Sequence, residues 1–216
     1  MVRIKICGIT NLADAQAAIA AGADLLGFNF YRPSPRFIEP QDARAIIDVL
    51  RPDLKKLSRT VTMVAVFVNE PAESVVRIAE ETGVAAVQLH GDESVEFCQK
   101  LKTLLPDRFL IKVIRAGGEG VIDRATEYDV DAIMLDAFDA ELRGGTGRTV
   151  DWKLARRTCE AVPRVFLAGG LSPENVSDAI SEAQPYAVDA CSALESSPGH
   201  KDAERMNAFV RAVRNE

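Results

Sequence analysis

The sequence predicts an α/β fold: a small, single-domain (β/α)8 TIM barrel spanning residues 1–216. Three observations lead there. Short apolar runs alternate with stretches of helical spacing along the whole chain, and strands separated by helices must run parallel because each helix is their crossover. The alternation occurs eight times in 216 residues, about 27 residues per unit, which suits a closed barrel near the small end of its range. A doubly wound open sheet is the alternative, but it usually has fewer strands and needs a switch point. The third observation is that the longest irregular connections, "YRPSPRFIEP" and "AFDAELRGGTGRTV", follow strands two and six. In a barrel both lie on the face where active sites are built.

The first strand is "VRIKIC" (2–7), where Val2, Ile4 and Ile6 alternate with Arg3, Lys5 and Cys7 until Gly8 breaks the pattern. A helix follows from near Asn11 through "LADAQAAIAAGA". The second strand, "DLLGFNF" (24–30), leads through the Pro33 and Pro35 loop to "PQDARAIIDVL". "TMVAVFV" (62–68) precedes "PAESVVRIAEETG", and "AAVQLH" (85–90) precedes "ESVEFCQKLKTLL". "FLIKVI" (109–114) and "DAIMLD" (131–136) come next, and the helix after the sixth strand starts near Asp151. "RVFLAGG" (164–170) runs into Ser172 as an expected N-cap, with Pro173 at the first helical position. The last unit is "YAVDACS" (186–192) with the helix "KDAERMNAFVRAVRN".

Hydrophobic residues at 47% and charged residues at 27% are ordinary for a globular chain, and a net charge of −6 argues against a broad nucleic-acid surface. Met1 is followed at once by Arg3 and Lys5, unlike a signal peptide, and no apolar run approaches the roughly 18 residues of a membrane span. A cytoplasmic protein without a membrane partner is expected. Cys7, Cys98, Cys159 and Cys191 form no CxxC pair, and with two histidines in all the chain is a poor zinc binder. Reduced thiols and no metal are the expectation.

Cys7 ends the first strand and faces the same way as Lys5, about 6.6 Å back along the chain. A thiol at a barrel mouth beside a cation can be drawn below its usual pKa of about 8.5; a buried spectator thiol is the alternative. Lys5 could equally be a structural lysine paired with a carboxylate inside the barrel. Asp136 ends strand six after an apolar run, a costly place for a carboxylate unless it is paired or used. It lies too early to cap the helix near Asp151. Strands one and six stand three places apart in the ring, so their Cα atoms are expected about 14 Å apart, leaving roughly 8 Å between the side chains. That suits an acid and a base acting on different atoms of one small sugar rather than a hydrogen-bonded nucleophile–base dyad.

Arg36 sits on a loop stiffened by Pro33 and Pro35, which lowers the cost of fixing a guanidinium on a carboxylate or phosphate; a solvated surface arginine is the ordinary reading. "RGGTGRT", "LAGGLS" and "DACSALE" cluster late in the chain, where barrels commonly hold a phosphate on backbone N–H groups. The glycines could also serve tight turns alone. The spacing is not that of a P-loop.

Taken in order, "KICGIT", "GFNFYRPSPRFI", "VFVN", "VQLHGDE", "MLDAFD", "GGTGRTVDW", "AGGLSPENV" and "AVDACSALESSPGHKD" resemble the phosphoribosylanthranilate isomerases of tryptophan biosynthesis, over residues 3 to about 210. "AGGL" alone is shared among phosphate-binding barrels; "KICGIT" with "QLHG" and "GGTG" is highly specific. The resemblance implies an Amadori rearrangement of an aminoaldose to an aminoketose without metal or organic cofactor, acting on a small-molecule phosphosugar, by a monomer or homodimer. It implies Cys7 as general base and Asp136 as general acid, Arg36 on the anthranilate carboxylate, and Asp189 near the anthranilate nitrogen and ribose. Gly147, Gly170, Ser192 and Ala193 would hold the phosphate. One stretch departs from the pattern: "DACSALE" stands where the family usually reads "DVSSGVE", so Ala193 replaces a glycine and Cys191 a serine. If position 193 needs a positive φ, alanine costs about 1 kcal/mol there. Two other readings remain: a phosphosugar aldolase using Lys112 or Lys5 for a Schiff base, and a non-catalytic phosphometabolite-binding barrel.

Overall fold

The computed structural model describes residues 1–56, 59–117, 120–136 and 151–215. Eight parallel strands close into a barrel in chain order: β1 (Arg3–Cys7), β2 (Leu25–Asn29), β3 (Thr62–Phe67), β4 (Ala86–Leu89), β5 (Phe109–Arg115), β6 (Ala132–Asp136), β7 (Val165–Leu167) and β8 (Ala187–Ala190). The helices between them are α1 (Leu12–Ala21), α2 (Pro40–Leu54), α3 (Ala72–Thr82), α4 (Val95–Leu104), α5 (Val121–Glu127), α6 (Trp152–Ala161) and α7 (Val176–Ala183), with α8 (Ala203–Arg214) last. Each strand lies within or against its expected span. β7 is the most shortened, three residues where seven were expected. No helix of the described residues is long and apolar enough to cross a membrane.

Strand alternation divides the core into two layers. Leu25, Val64, Ala86, Ile111, Val113, Ala132, Met134, Phe166 and Ala187 fill the barrel interior. Their neighbours along the strands, such as Ile4, Ile6, Leu26, Ala65, Val87, Leu110 and Leu135, pack outward under the helices. Because Asp136 shares the side of Ala132 and Met134, and Asp189 the side of Ala187, both carboxylates belong to the interior face. Lys5 and Cys7 lie on it as well, since Lys5 pairs in register with Leu25 and Asp189.

Capping chemistry sets the helix starts. Asn11 accepts from the Asp14 amide at 2.9 Å and opens α1, which Gly22 closes at φ 116°. Asp151 caps α6 through the amides of Lys153 and Leu154, where the helix was expected. The unit after β7 differs. Ser172 does not cap α7; its carbonyl heads a turn through Asn175 and Val176, and α7 begins at Val176 with Asn175 in the cap position. The Asn175 side chain reaches back to the Ser172 amide and the Gly170 carbonyl, so Pro173 sits in the turn rather than in the helix.

After β8 the chain makes a single 3-10 turn, Ser192–Leu194, then a two-stranded antiparallel hairpin of β9 (Glu195–Ser197) and β10 (His200–Lys201). The hairpin is absent from the sequence reading. It is tied to the start of α1: the Thr10 hydroxyl donates to the Gly199 carbonyl at 2.5 Å, and the Lys201 amide donates to Asp14 at 2.8 Å.

Candidate active site at the barrel mouth

Lys5 is fully buried, and its ammonium donates to Asp189 Oδ1 at 2.8 Å across the β1–β8 seam. Burial works against the ammonium form, but the Asp189 carboxylate and the Cys7 sulfur outweigh it and hold Lys5 protonated beyond the ordinary lysine range. Cys7 stands one layer above. A hydrogen bond from the Cys191 thiol is the largest influence drawing its pKa well below that of a free thiol; burial opposes this, and Lys5 and Lys201 reinforce it. Cys98 and Cys159, by contrast, are pushed up to about 11 by burial, as spectator thiols should be. The room for the Cys7 sulfur is made by Gly27, its register neighbour on β2. A Cβ on Gly27 would stand 2.7 Å from Cys7 Sγ and 3.2 Å from Lys5 Nζ.

Asp189 reports on the whole mouth. Burial lifts its carboxyl to about 7, Lys5 pulls it back, and the charges of Cys7 and Asp136 both push it up. Asp189 therefore feels Cys7 and Asp136 at once, although they end strands three places apart in the ring. Cys7, Asp136 and Asp189 share the inward face of the barrel.

Asp136 Oδ2 is 3.1 Å from His90 Nε2, and His90 Nδ1 is 2.9 Å from Gln88 Nε2. With the Gln88 amide donating to Nδ1, the imidazole carries its hydrogen on Nε2 and donates to Asp136. Gln88 Oε1 is buried without a partner among the described residues. Turning that amide over pairs Oε1 with an Nδ1–H and leaves the nitrogen unpaired instead, so each tautomer of His90 costs one orphan. The His90–Asp136 contact can thus be kept whether Asp136 is carboxylate or carboxyl. "QLHG" contains both partners, and the signal was available: a glutamine on the inward face of a strand, then a histidine just past its end.

Arg36 is not a solvated surface residue. Its Nε and Nη2 make a two-pronged pair with Glu195 at 2.9 and 2.7 Å, which engages two of its five N–H donors. Glu195 also accepts from Lys201 Nζ at 2.8 Å. Burial would raise the Glu195 pKa, but these two cations hold it below the usual carboxylate range. Gly8, at φ +79°, lets these groups approach: a Cβ there would fall 2.8 Å from Arg36 Cδ and 2.9 Å from Cys191 Sγ. Glu195 and Lys201 were missed because their only signal is two charges flanking the Pro-Gly of "ESSPGHK".

Of the expected phosphate-binding residues, Gly147 lies outside the described residues. Gly170 has φ +67° after Gly169 at +85°, so the end of β7 uses a backbone form that favours glycine. Ser192 and Ala193 open the 3-10 turn after β8. Ala193 is not among the described residues with positive φ, so the strain considered for alanine does not arise. An open cleft lined by Phe30, Tyr31, Pro33, Phe37, Val68 and Ile78 lies between the β2–α2 connection and α3, and none of Cys7, Arg36, Asp136 or Asp189 lines it.

Lys112, a Schiff-base candidate, faces away from the mouth, on the side of Leu110 and Ile114. Its ammonium is locked at 2.8 Å to both Glu93 Oε2 and the Gly91 carbonyl. Lys5 faces inward but is held protonated, the wrong form for attack on a carbonyl. The described residues contain no cluster of side chains able to hold a metal ion.

Residues 4–212 match the family model described as N-(5'phosphoribosyl)anthranilate (PRA) isomerase. The chain is 41% identical over 211 residues to the N-(5'-phosphoribosyl)anthranilate isomerase of Trichlorobacter lovleyi, covering 98% of this chain and 97% of the relative. The crystal structure of phosphoribosyl anthranilate isomerase from Thermotoga maritima superposes with a TM-score of 0.88 at 40% identity, covering 100% of both chains. A solved structure of the isomerase in complex with reduced 1-(o-carboxyphenylamino)-1-deoxyribulose 5-phosphate gives a TM-score of 0.84 at 38% identity, again over 100% of both.

Proposed function

The chain belongs to the N-(5'-phosphoribosyl)anthranilate isomerase family, enzymes of tryptophan biosynthesis, and from that premise we propose how its residues divide the Amadori rearrangement. The substrate is the aminoaldose N-(5-phosphoribosyl)anthranilate, and the product is 1-(2-carboxyphenylamino)-1-deoxyribulose 5-phosphate. Asp136 gives a proton to the furanose ring oxygen, the C1–O bond breaks, and the nitrogen lone pair forms an iminium ion. The Cys7 thiolate then takes the proton from C2. The C2–H electron pair forms the C1–C2 double bond of an enolamine, which tautomerises to the ketone.

Each step draws on a feature described above. The lowered Cys7 pKa favours the thiolate over an ordinary thiol, and Lys5 neutralises it without competing as a base. Once Asp136 has lost its proton, the Nε2–H of His90 can stabilise the carboxylate. Arg36, braced by Glu195, directs its remaining donors to the anthranilate carboxylate. Asp189 sits beside the anthranilate nitrogen and ribose. Gly147, Gly170 and the amides of Ser192 and Ala193 take the phosphate. General acid and general base contributions of about 10² to 10⁴ each are the usual scale for such roles.

The observation that supports the reading best is that Cys7, Asp136 and Asp189 all lie on the inward face of the barrel, Cys7 and Asp136 each ending its strand. We propose that the enzyme works in the cytoplasm as a monomer or homodimer, without metal or organic cofactor and without a nucleic-acid or membrane partner. The test is a fluorescence assay with the aminoaldose made in situ from anthranilate and a phosphoribosyl donor. Loss of its fluorescence on adding the purified protein is expected, and an unchanged decay would refute the reading.

A further inference from the structure

Cys191 takes no proton in the proposed rearrangement, yet its thiol is the largest influence on the pKa of Cys7. β1 and β8 pair with Lys5 opposite Asp189 and Ile6 opposite Ala190; Cys7, the last residue of β1, and Cys191, the first residue past β8, follow directly on that register. The position a Cβ would take on Gly8 is only 2.9 Å from Cys191 Sγ, which places that sulfur over the Cys7–Gly8 peptide. Each thiol is the largest influence on the other, lowering the pKa of Cys7 and raising that of Cys191, and the Cys191 thiol also stands 3.8 Å from Glu195 Oε1. Adjacent strands about 4.8 Å apart fall within the Cα separation of roughly 4.4–6.8 Å that a disulfide spans. Both cysteines are partly exposed at the mouth, within reach of a small oxidant. Cations surround them: Lys201 Nζ is 3.7 Å from Cys191 Sγ and Lys5 lies below Cys7.

We propose that Cys7 and Cys191 are a reversible oxidation site, closed to a disulfide by a hydroperoxide. The regulatory consequence rests on Cys7 being the general base. The Cys7 thiolate attacks the outer oxygen of the hydroperoxide, the O–O bond breaks, and the departing alkoxide takes a proton to become an alcohol or, from hydrogen peroxide, water. This leaves Cys7 as a sulfenic acid. Cys191 then gives up its proton, its sulfur attacks the Cys7 sulfur, and the S–O bond breaks with loss of water. Two thiols have supplied two electrons to the peroxide. The disulfide removes the base and places a cross-link in the mouth, and a thiol reductant restores both sulfurs. Cys191 is the partner that keeps Cys7 from being driven on to the irreversible sulfinic acid.

The test is to treat the purified protein with hydrogen peroxide, block free thiols with N-ethylmaleimide, and map the peptides by mass spectrometry beside the fluorescence assay. The expected result is a linked Cys7–Cys191 peptide, with Cys98 and Cys159 still reduced, and activity that falls with peroxide and returns with dithiothreitol. In C191S the linked peptide should be absent, Cys7 should accumulate as sulfinic acid, and dithiothreitol should fail to restore the lost rate. Wild-type protein whose Cys7 ends as sulfinic acid, or whose two thiols remain free for alkylation after peroxide, overturns the proposal. The peptide map does not depend on turnover, so a linked peptide in a protein that never consumes the aminoaldose would sink the isomerase reading alone.

Discussion

Lys5 and Asp189 face each other in register across the β1–β8 seam, joined at 2.8 Å with the lysine fully buried. The pair is the floor of the mouth: it fixes a positive charge under Cys7 and places the Asp189 carboxyl where it senses Asp136. Removing one partner leaves the other buried without compensation, which costs about 3–5 kcal/mol. We therefore expect Lys5→Met to lose stability on that scale in urea denaturation. The double variant K5M/D189L should recover much of the loss. A K5M midpoint equal to wild type would show that the pair carries no structural weight.

The Cys7 thiol sets a pH dependence with a definite sign. A folded pKa held well below the ordinary thiol value of about 8.5 means that the thiolate persists at pH values where a free thiol is already protonated. The rate of Cys7 alkylation by iodoacetamide, and kcat/KM for the aminoaldose, should both stay level as pH falls through about 8.5 and drop only at lower pH. A fall centred near pH 8.5 would mean an ordinary thiol. Cys191 shifts in the opposite direction, so the two act with opposite sign on stability, and alkylation is the cleaner readout.

His90 stands 3.1 Å from Asp136 Oδ2, and we predict that it acts through Asp136 as a positioning residue. We expect His90→Ala to lower kcat about tenfold with little change in KM, and His90→Gln, which keeps a donor, to recover part of it. Unchanged kcat in the alanine variant would make the contact a bystander.

The Arg36–Glu195 pair predicts a split between binding and chemistry. Arg36→Met should raise KM for the aminoaldose well above its effect on kcat, and Glu195→Gln should do the same more weakly by loosening the guanidinium. Steady-state kinetics of the two variants read this directly. An unchanged KM in R36M removes Arg36 from the carboxylate site.

Much of this was legible in the sequence because barrel strands announce themselves. Cys7 and Asp136 stand at the carboxyl ends of strand-like runs, the end of a barrel where sites are built, and Cys7 shares the face of Lys5; which face turns inward comes only from barrel closure. Lys5 was readable as a buried lysine in need of a carboxylate, but the identity of Asp189, 184 positions away, comes only from barrel closure. The same holds for Glu195 on Arg36, separated by 159 positions. Ser172 followed by Pro173 looks like a helix start from local chemistry alone. The Asn175 side chain, bonding back to the Ser172 amide and the Gly170 carbonyl, moves that start to Val176. Local capping rules could not see that competition.

The most direct test of the account compares the wild-type protein with Cys7→Ala and Asp136→Asn in the fluorescence assay, with circular dichroism on each to verify the fold. Turnover should drop at least about a hundredfold in either variant while the barrel persists. A folded variant that still consumes the aminoaldose at near the wild-type rate would contradict an acid and a base acting across this mouth.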